Sequence, residues 1–329
     1  MEQPSLAFAK EQLWIACSEG DLSLVQTLTM DSTVNVNWSD SEHSRTSFYR
    51  ACGHGHASVV QFLLQDHRVD VNQTTSSQVT PFYIACQEGQ KDVVALLLRD
   101  WRVDVNMSNR MGATPFFMAA QEGHSEVVVQ LLADDRVCIN DAKNDGCTPL
   151  WFAAQEGRLL VAQLMLASGR EIDTQTRSIE GNEAWNNKTA AEHARWQGVR
   201  TQFTNEPAED YVRMKVNGPL IADILDAFNL DPLAVRQQLR ELPEIRETFI
   251  ADVFALIIFT CDGLLRLKDP GHLVGVARFF VVAEKLPMEL QMVLANRVFG
   301  AGKDGVLRKV SEKAFRKLGR VLAGEDFKC

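Results

Sequence analysis

Apolar and polar positions repeat along the first two-thirds of the chain with a period of about 34 residues. In each period, a short helical pattern ends at a glycine. A second helical pattern then places paired apolar residues, such as Val93-Val94 and Leu97-Leu98, on one face. An extended piece, such as 103–106, leads into a polar turn. One such unit cannot bury its own apolar face, so the pattern predicts stacked copies forming a solenoid.

Local signals mark where each helix of the unit begins and ends. Threonine can cap the first helix and proline fits its first turn, and this pair opens three copies: Thr80-Pro81, Thr114-Pro115 and Thr148-Pro149. A glycine is expected to end that helix with a left-handed turn, and the positions are Gly20, Gly55, Gly89, Gly123 and Gly157. After the second helix, four copies have no glycine, and their loops, such as Asp100-Trp101-Arg102, carry one additional residue. We predict that this added length lets the chain bend without a left-handed glycine, whereas Gly169 makes the bend in the fifth copy.

These TPxxxAA, glycine-turn and VVxxLL elements resemble the ankyrin repeat over about residues 11–200. The resemblance implies an all-α ankyrin solenoid in residues 1–204, with five repeats and a half repeat. Residues 205–329 are predicted to form a C-terminal all-α domain that packs against the end of the array. The family usually has histidine at the fourth place of TPLH. Here that place holds aromatic residues, which we interpret as a packing ladder: Trp14, Tyr49, Tyr83, Phe117 and Trp151.

The net charge of -9 lies within the first 205 residues, since residues 206–329 contain 18 acidic and 18 basic side chains. An acidic surface repels phosphates, so neither nucleic acid nor membrane is an expected partner. No apolar window reaches the ~18 residues that a membrane helix needs, and the N-terminus does not read as a secretory signal. We therefore expect an intracellular, cytoplasmic protein, and a monomer.

The sequence offers no signature of catalysis. A P-loop, an HExxH helix and a GxSxG elbow are all absent. The spacing of Cys17, Cys52 and Cys86 matches the repeat and continues as Ala120 and Ala154, which indicates small buried side chains rather than metal ligands. We therefore predict no catalytic residue, no cofactor and no metal site.

The ankyrin resemblance implies that a protein partner binds the concave face of the array, which first helices and turn tips form. In each first helix, one large residue directly precedes a pair of small residues such as Ala85-Cys86. These large residues form a mostly apolar row: Ile15, Arg50, Ile84, Met118 and Phe152. A glutamate row lies beside it: Glu19, Glu88, Glu122 and Glu156. The tips add the candidate contacts Trp38, Met107 and Arg110. The expected partner is a protein or peptide with apolar anchors and basic residues. The alternative is that the apolar row packs on the aromatic ladder.

Two further segments carry open alternatives. The long loop 174–188, with Trp185, is either a binding finger or a strap over the sixth helix. In the C-terminal region, helices are predicted from Pro219, from Asp231-Pro232 and onward. There, LPMELQMVLANRVF begins a segment, 286–320, that resembles an F-box and implies docking on a Skp-type adaptor of a cullin ubiquitin ligase. The same letters also fit a generic helix start.

Overall fold

A computed structural model describes residues 4–179, 187–202 and 206–245 of the chain. This part is helical, and its extended segments form only an isolated bridge between Ser39 and Thr46. The helices within it are α1 (Pro4–Glu19), α2 (Leu22–Thr29), α3 (Ser47–Gly53), α4 (Ala57–Leu63), α5 (Pro81–Gln87), α6 (Lys91–Leu97), α7 (Pro115–Glu122), α8 (Ser125–Leu132), α9 (Pro149–Gln155), α10 (Leu159–Ala167), α11 (Ala190–Val199), α12 (Ala208–Leu230) and α13 (Pro232–Arg240).

Ten helices form five stacked pairs, as the 34-residue period predicts. The first helices α1, α3, α5, α7 and α9 pack on one another in order, and the second helices α2, α4, α6, α8 and α10 do the same. The predicted caps are present: the hydroxyls of Thr80, Thr114 and Thr148 each accept the amide three residues ahead. The glycines that end the first helices have positive φ, for example 79° at Gly55 and 86° at Gly123. The all-α ankyrin solenoid is thus confirmed.

The longer loops after α4, α6 and α8 bend around an aspartate–arginine pair. In the third repeat, Arg102 donates to the Asp100 carboxylate and also, through Nη2, to the carbonyl of Leu64 at 2.8 Å. Leu64 closes α4 of the preceding repeat, so the arginine satisfies a carbonyl that a helix end leaves unpaired. Arg68 and Arg136 repeat this arrangement. None of these loops contains a positive φ, whereas Gly169 has φ 87°, as the sequence predicts.

Asparagine side chains bridge successive repeats. Asn72 donates through Nδ2 to the carbonyl of Arg102 (2.7 Å), and its Oδ1 accepts the amide of Asp104 (2.9 Å). The same pair of bonds recurs one repeat apart at Asn37, Asn72, Asn106 and Asn140. Both polar ends of the amide are used, so these asparagines fix the register between neighbouring repeats.

Helix α12 packs on α9, α10 and α11 and covers the end of the array. The prediction that this helix opens at Pro219 was wrong, because α12 begins at Ala208 and carries Pro219 in its interior. The proline ring lies against Gly198 of α11, where an added methyl group would clash with it. The inward side chains include Ile221, Leu225 and Phe228, which are buried.

The chain divides into two units at Pro232 and Leu233. Helix α13 (Pro232–Arg240) confirms the helix predicted from Asp231-Pro232. The segments 246–329 and 180–186 lie outside the described residues, and they contain the F-box-like segment and Trp185 respectively. The predicted division into residues 1–204 and 205–329 remains a prediction.

Candidate partner-binding surface

The row of large side chains on the first helices is exposed at one end and buried at the other. Ile15 on α1 is 40% exposed, and Ile84 on α5 and Met118 on α7 are half-buried. Phe152 on α9 is only 7% exposed. The row therefore offers apolar contact area at the first, third and fourth repeats but little at the fifth.

Phe152 packs on the aromatic ladder, as the alternative interpretation of the row predicts. Its ring centroid lies 4.9 Å from that of Phe117 and 5.3 Å from that of Trp151. The Lys143 ammonium, from the fourth turn tip, stands 4.8 Å from the Phe152 centroid. Aromatic pairs at these distances stabilise the fold beyond simple burial. Phe152 thus belongs to the core. The sequence predicted it on the surface because it occupies the same position of the repeat as Met118.

The ladder is a packing element at its last three positions, as interpreted from the sequence, whereas Trp14 and Tyr49 are half-buried. Tyr83, Phe117 and Trp151 are at most 2% exposed. Their polar atoms find partners: Asn109 donates through Nδ2 to the Tyr83 hydroxyl at 2.7 Å, and Trp151 donates through Nε1 to the carbonyl of Lys188 at 3.0 Å. The Asn109 bond also ties the third turn tip to α5, so tip and helix residues share one surface.

Arg50 interrupts the apolar row at the second repeat. Its guanidinium stacks on the Trp14 ring at 4.7 Å, and its Nε donates to the Ser18 hydroxyl at 3.0 Å. Both contacts reach back to α1, so Arg50 joins two repeats. His54, directly after α3, stands where the other repeats have a glutamate, and burial lowers the pKa of its imidazole. The glutamate row is therefore interrupted at the second repeat, next to the positive charge of Arg50.

The glutamate row is open at the N-terminal repeats and closed at the fifth. Glu19 and Glu88 are exposed, and Glu122 is half-buried and accepts a bond from the Gln121 amide at 3.2 Å. Glu156 is different, because burial raises its pKa and Arg213 of α12 lies against it. Arg213 donates through Nε to the Glu156 carbonyl at 2.8 Å, and its Nη2 lies 3.8 Å from the carboxylate. Helix α12 thus occupies the position next to Glu156.

The turn tips form a continuous row alongside the first helices. The amide of Arg110 donates to the carbonyl of Ser77, and that of Asn144 to the carbonyl of Met111 at 3.0 Å. Arg110 is exposed and Met107 is half-buried beside a shallow depression of about 410 Å³. Trp38 is half-buried and has the Lys10 ammonium 5.6 Å from its ring. Met111, which the sequence did not single out, is 58% exposed at the same tip as Arg110.

The base of the long loop continues this row of tips. The amide of Ser178 donates to the carbonyl of Lys188, and that of Asn187 to the carbonyl of Ser178. The amide of Ile179 donates at 2.8 Å to the carbonyl of Asp145 in the preceding tip. Both arms of the loop therefore pair as a fifth tip, while Trp185, on which the finger and strap alternatives depend, lies outside the described residues.

Within the described ranges, no group of histidine, cysteine, aspartate and glutamate side chains could hold a metal ion. In the same part of the chain, none of the helices has the length and apolar character needed to cross a membrane.

Comparison with known proteins agrees with this architecture. A family profile described as ankyrin repeats in three copies matches residues 13–109 and 101–176. The crystal structure of the ankyrin-repeat protein EF0377 superposes with a TM-score of 0.51 at 24% identity, covering 63% of this chain and 96% of that one. An ankyrin-repeat domain from Acinetobacter baumannii AYE gives 0.49 at 24% identity, over 64% of this chain and 97% of that one. No curated protein matches the sequence. Ankyrin repeats are protein–protein interaction modules, and the chain belongs to this family of repeat proteins.

Proposed function

We propose that the chain is a non-catalytic binding module that captures a protein partner on one surface of its ankyrin array. This inner-helix surface is formed by Ile15, Glu19, Ile84, Glu88, Met107, Arg110, Met118 and Glu122. The observation that supports it most is the register: the partly exposed Ile15, Ile84 and Met118, on α1, α5 and α7, are each followed one turn later by a glutamate. Apolar and acidic side chains thus lie side by side at the first, third and fourth repeats.

The chemistry of this surface selects the kind of partner. Isoleucine and methionine side chains that are only half-covered gain from contact with apolar anchors, and methionine adapts its shape to them. The adjacent carboxylates favour lysine or arginine at the rim of the contact, which raises the association rate and excludes acidic competitors. We therefore propose a partner segment with apolar anchors flanked by basic residues.

Phe152 and Glu156 are left out of the proposed surface. Phe152 is core, and Glu156 already has Arg213 beside it. Arg50 and Trp38 belong to its edge, since the first is stacked on Trp14 and the second lies near Lys10. We propose that the surface is centred on α5 and α7.

Charge reversal tests the proposal. Partner isolated on the wild-type chain would be titrated against Glu88→Lys with Glu122→Lys, and against a control with Asp92→Lys and Asp135→Lys, two exposed positions outside the inner-helix surface. Replacing two attractive contacts by repulsive ones is expected to weaken binding by about tenfold or more, which corresponds to about 1.4 kcal/mol. The control should bind like wild type. Equal effects of the two double variants would contradict the proposed surface.

A second proposal rests on the sequence of residues 286–320 alone. Its F-box-like pattern supports a role as a substrate-recruiting adaptor of a cullin-type ubiquitin ligase, in which the array holds the substrate. Such a role, like the reduced thiols of Cys17, Cys52 and Cys86, fits an intracellular, cytoplasmic protein. Co-purification of the full chain with a Skp-type adaptor would support the proposal. Loss of that co-purification on replacing Leu286-Pro287 by alanines would assign it to this segment, and no co-purification would end it.

A further inference from the structure

Trp101 is exposed on a part of the array that the inner-helix surface does not include. It lies in the bend after α6, and 86% of its surface is open. It is the middle residue of an aspartate–x–arginine loop, and the equivalent positions in neighbouring repeats hold His67 and Asp135. Tryptophan is among the residue types most enriched in the contacts that dominate binding at protein interfaces. Its position therefore points to a partner.

The loop that carries Trp101 is held rigidly by its neighbours. Asp100 accepts the amide of Arg102 at 3.0 Å and the guanidinium Nε at 3.0 Å. Arg102 then reaches the carbonyl of Leu64 in the preceding repeat at 2.8 Å. The side chains of Asp100 and Arg102 are 14% and 26% exposed, so the pair is largely shielded from water. Because the backbone is already fixed, binding at Trp101 orders little besides one side chain, and this lowers the entropic cost of association.

An open groove of about 590 Å³ lies beside the Trp101 ring, between the ends of α4 and α6. Leu64 and Leu96 line it and are half-buried, so they provide an apolar floor next to the ring. Arg99, also in the lining, is exposed. Among the described residues of this groove the one carboxylate is Asp100, which is already bonded to Arg102. The groove is therefore positive, on an array that is acidic as a whole.

We propose that this groove, the Trp101 groove, is a second docking site that takes a short acidic segment of a partner protein. An aliphatic or aromatic side chain of that segment packs on Trp101 and Leu96, and a nearby carboxylate pairs with Arg99. Its charge preference is opposite to that of the inner-helix surface, so the two sites bind different segments and can be occupied together.

A random 12-residue peptide library displayed on phage tests the proposal. The library is selected on the full-length protein, and each recovered clone is measured again on Trp101→Ala, on Arg99→Glu and on Asp135→Ala, which changes the equivalent residue of the next loop. We expect a class of clones that loses binding to Trp101→Ala and carries aspartate or glutamate near an apolar residue. Arg99→Glu should weaken these clones at least tenfold, and Asp135→Ala should leave them unchanged.

Three results would overturn the proposal. Selection could yield no clone that depends on Trp101, or the dependent clones could be basic and indifferent to Arg99→Glu. Sedimentation of the wild-type chain could also show a dimer that Trp101→Ala dissociates, in which case a second copy covers the ring. Trp101→Ala should unfold at the same urea concentration as wild type, because the side chain is exposed, so loss of binding would not reflect loss of folding.

Discussion

Replacing Arg102 by leucine should destabilise the array by about 2–3 kcal/mol. The substitution keeps the aliphatic stem but removes the charged hydrogen bond to the Leu64 carbonyl, at 2.8 Å, which contributes about 1.5–3 kcal/mol. It also removes the pair with Asp100, which contributes at most about 1 kcal/mol because both side chains are partly solvated. Asp100 still accepts the amide of residue 102, so its carboxylate is not left without a partner.

Urea unfolding followed by circular dichroism measures this difference. Arg99→Leu is the matched control, because Arg99 is an exposed arginine in the same loop and its loss should change the free energy of unfolding by less than about 0.5 kcal/mol. A change for Arg102→Leu as small as that of the control would refute the view that the aspartate–arginine pair stabilises the bend of a loop that has no left-handed glycine.

The same pair predicts a dependence on pH. The hydrogen bond from Arg102 lowers the pKa of Asp100 in the folded state. A carboxyl whose folded pKa is depressed stabilises the fold above its unfolded pKa, which is about 3.9, and loses this contribution as the pH falls through the folded value. The difference in unfolding free energy between wild type and Arg102→Leu should therefore be constant near neutrality and shrink below about pH 4. A gap that persisted unchanged in acid would contradict the assignment.

Two further substitutions test the packing. Phe152→Ala should destabilise the fold by about 3 kcal/mol, because its ring is buried against two aromatic rings, whereas Met118→Ala should cost about 1 kcal/mol. Urea unfolding of the two variants measures both losses, and equal losses would contradict the assignment of Phe152 to the core. Gly157→Ala should loosen α12, because the φ of Gly157 is +64° and the new Cβ would lie 2.9 Å from the Cα of Met214. Amide hydrogen exchange should become faster in α12 and stay unchanged in α5, and unchanged exchange in α12 would contradict the packing of this helix.

The repeat architecture could be predicted because each of its determinants is local. Capping threonines, first-turn prolines and left-handed glycines act within four residues of their own position, so the local sequence is enough to predict where each helix begins and ends. The bend without glycine was also predictable from loop length. Its mechanism was not, because the bond from Arg102 to Leu64 joins residues 38 positions apart.

The candidate site was less accessible to sequence reasoning, for a similar reason. Phe152 and Met118 occupy equivalent places in their repeats, yet Phe152 is buried against the ring of Phe117 and the ammonium group of Lys143 from a turn tip. Glu156 is equivalent to Glu88, yet Arg213 lies beside it from a helix 57 residues further along the chain. A repeat pattern describes what repeats share, and the end of an array differs through contacts that only the folded chain provides.

The helix α12 was mispredicted at its start because proline usually marks the first turn. Here Pro219 follows Gly218, whose missing side chain lets α12 approach the backbone of Ala194, and Gly198 accommodates the ring. The two glycines are 20 residues apart, and their pairing across the helix interface cannot be seen from either segment alone.

Site-specific photocrosslinking in a native lysate tests the proposed function most directly. A photoreactive amino acid would replace Met118 on the inner-helix surface in one protein and Asp135, in the loop after α8, in another. We expect one protein partner to be crosslinked from position 118 and not from 135, and Glu88→Lys with Glu122→Lys to reduce that product about tenfold. Crosslinking of the same partner from 135 and not from 118 would contradict binding through the inner-helix surface.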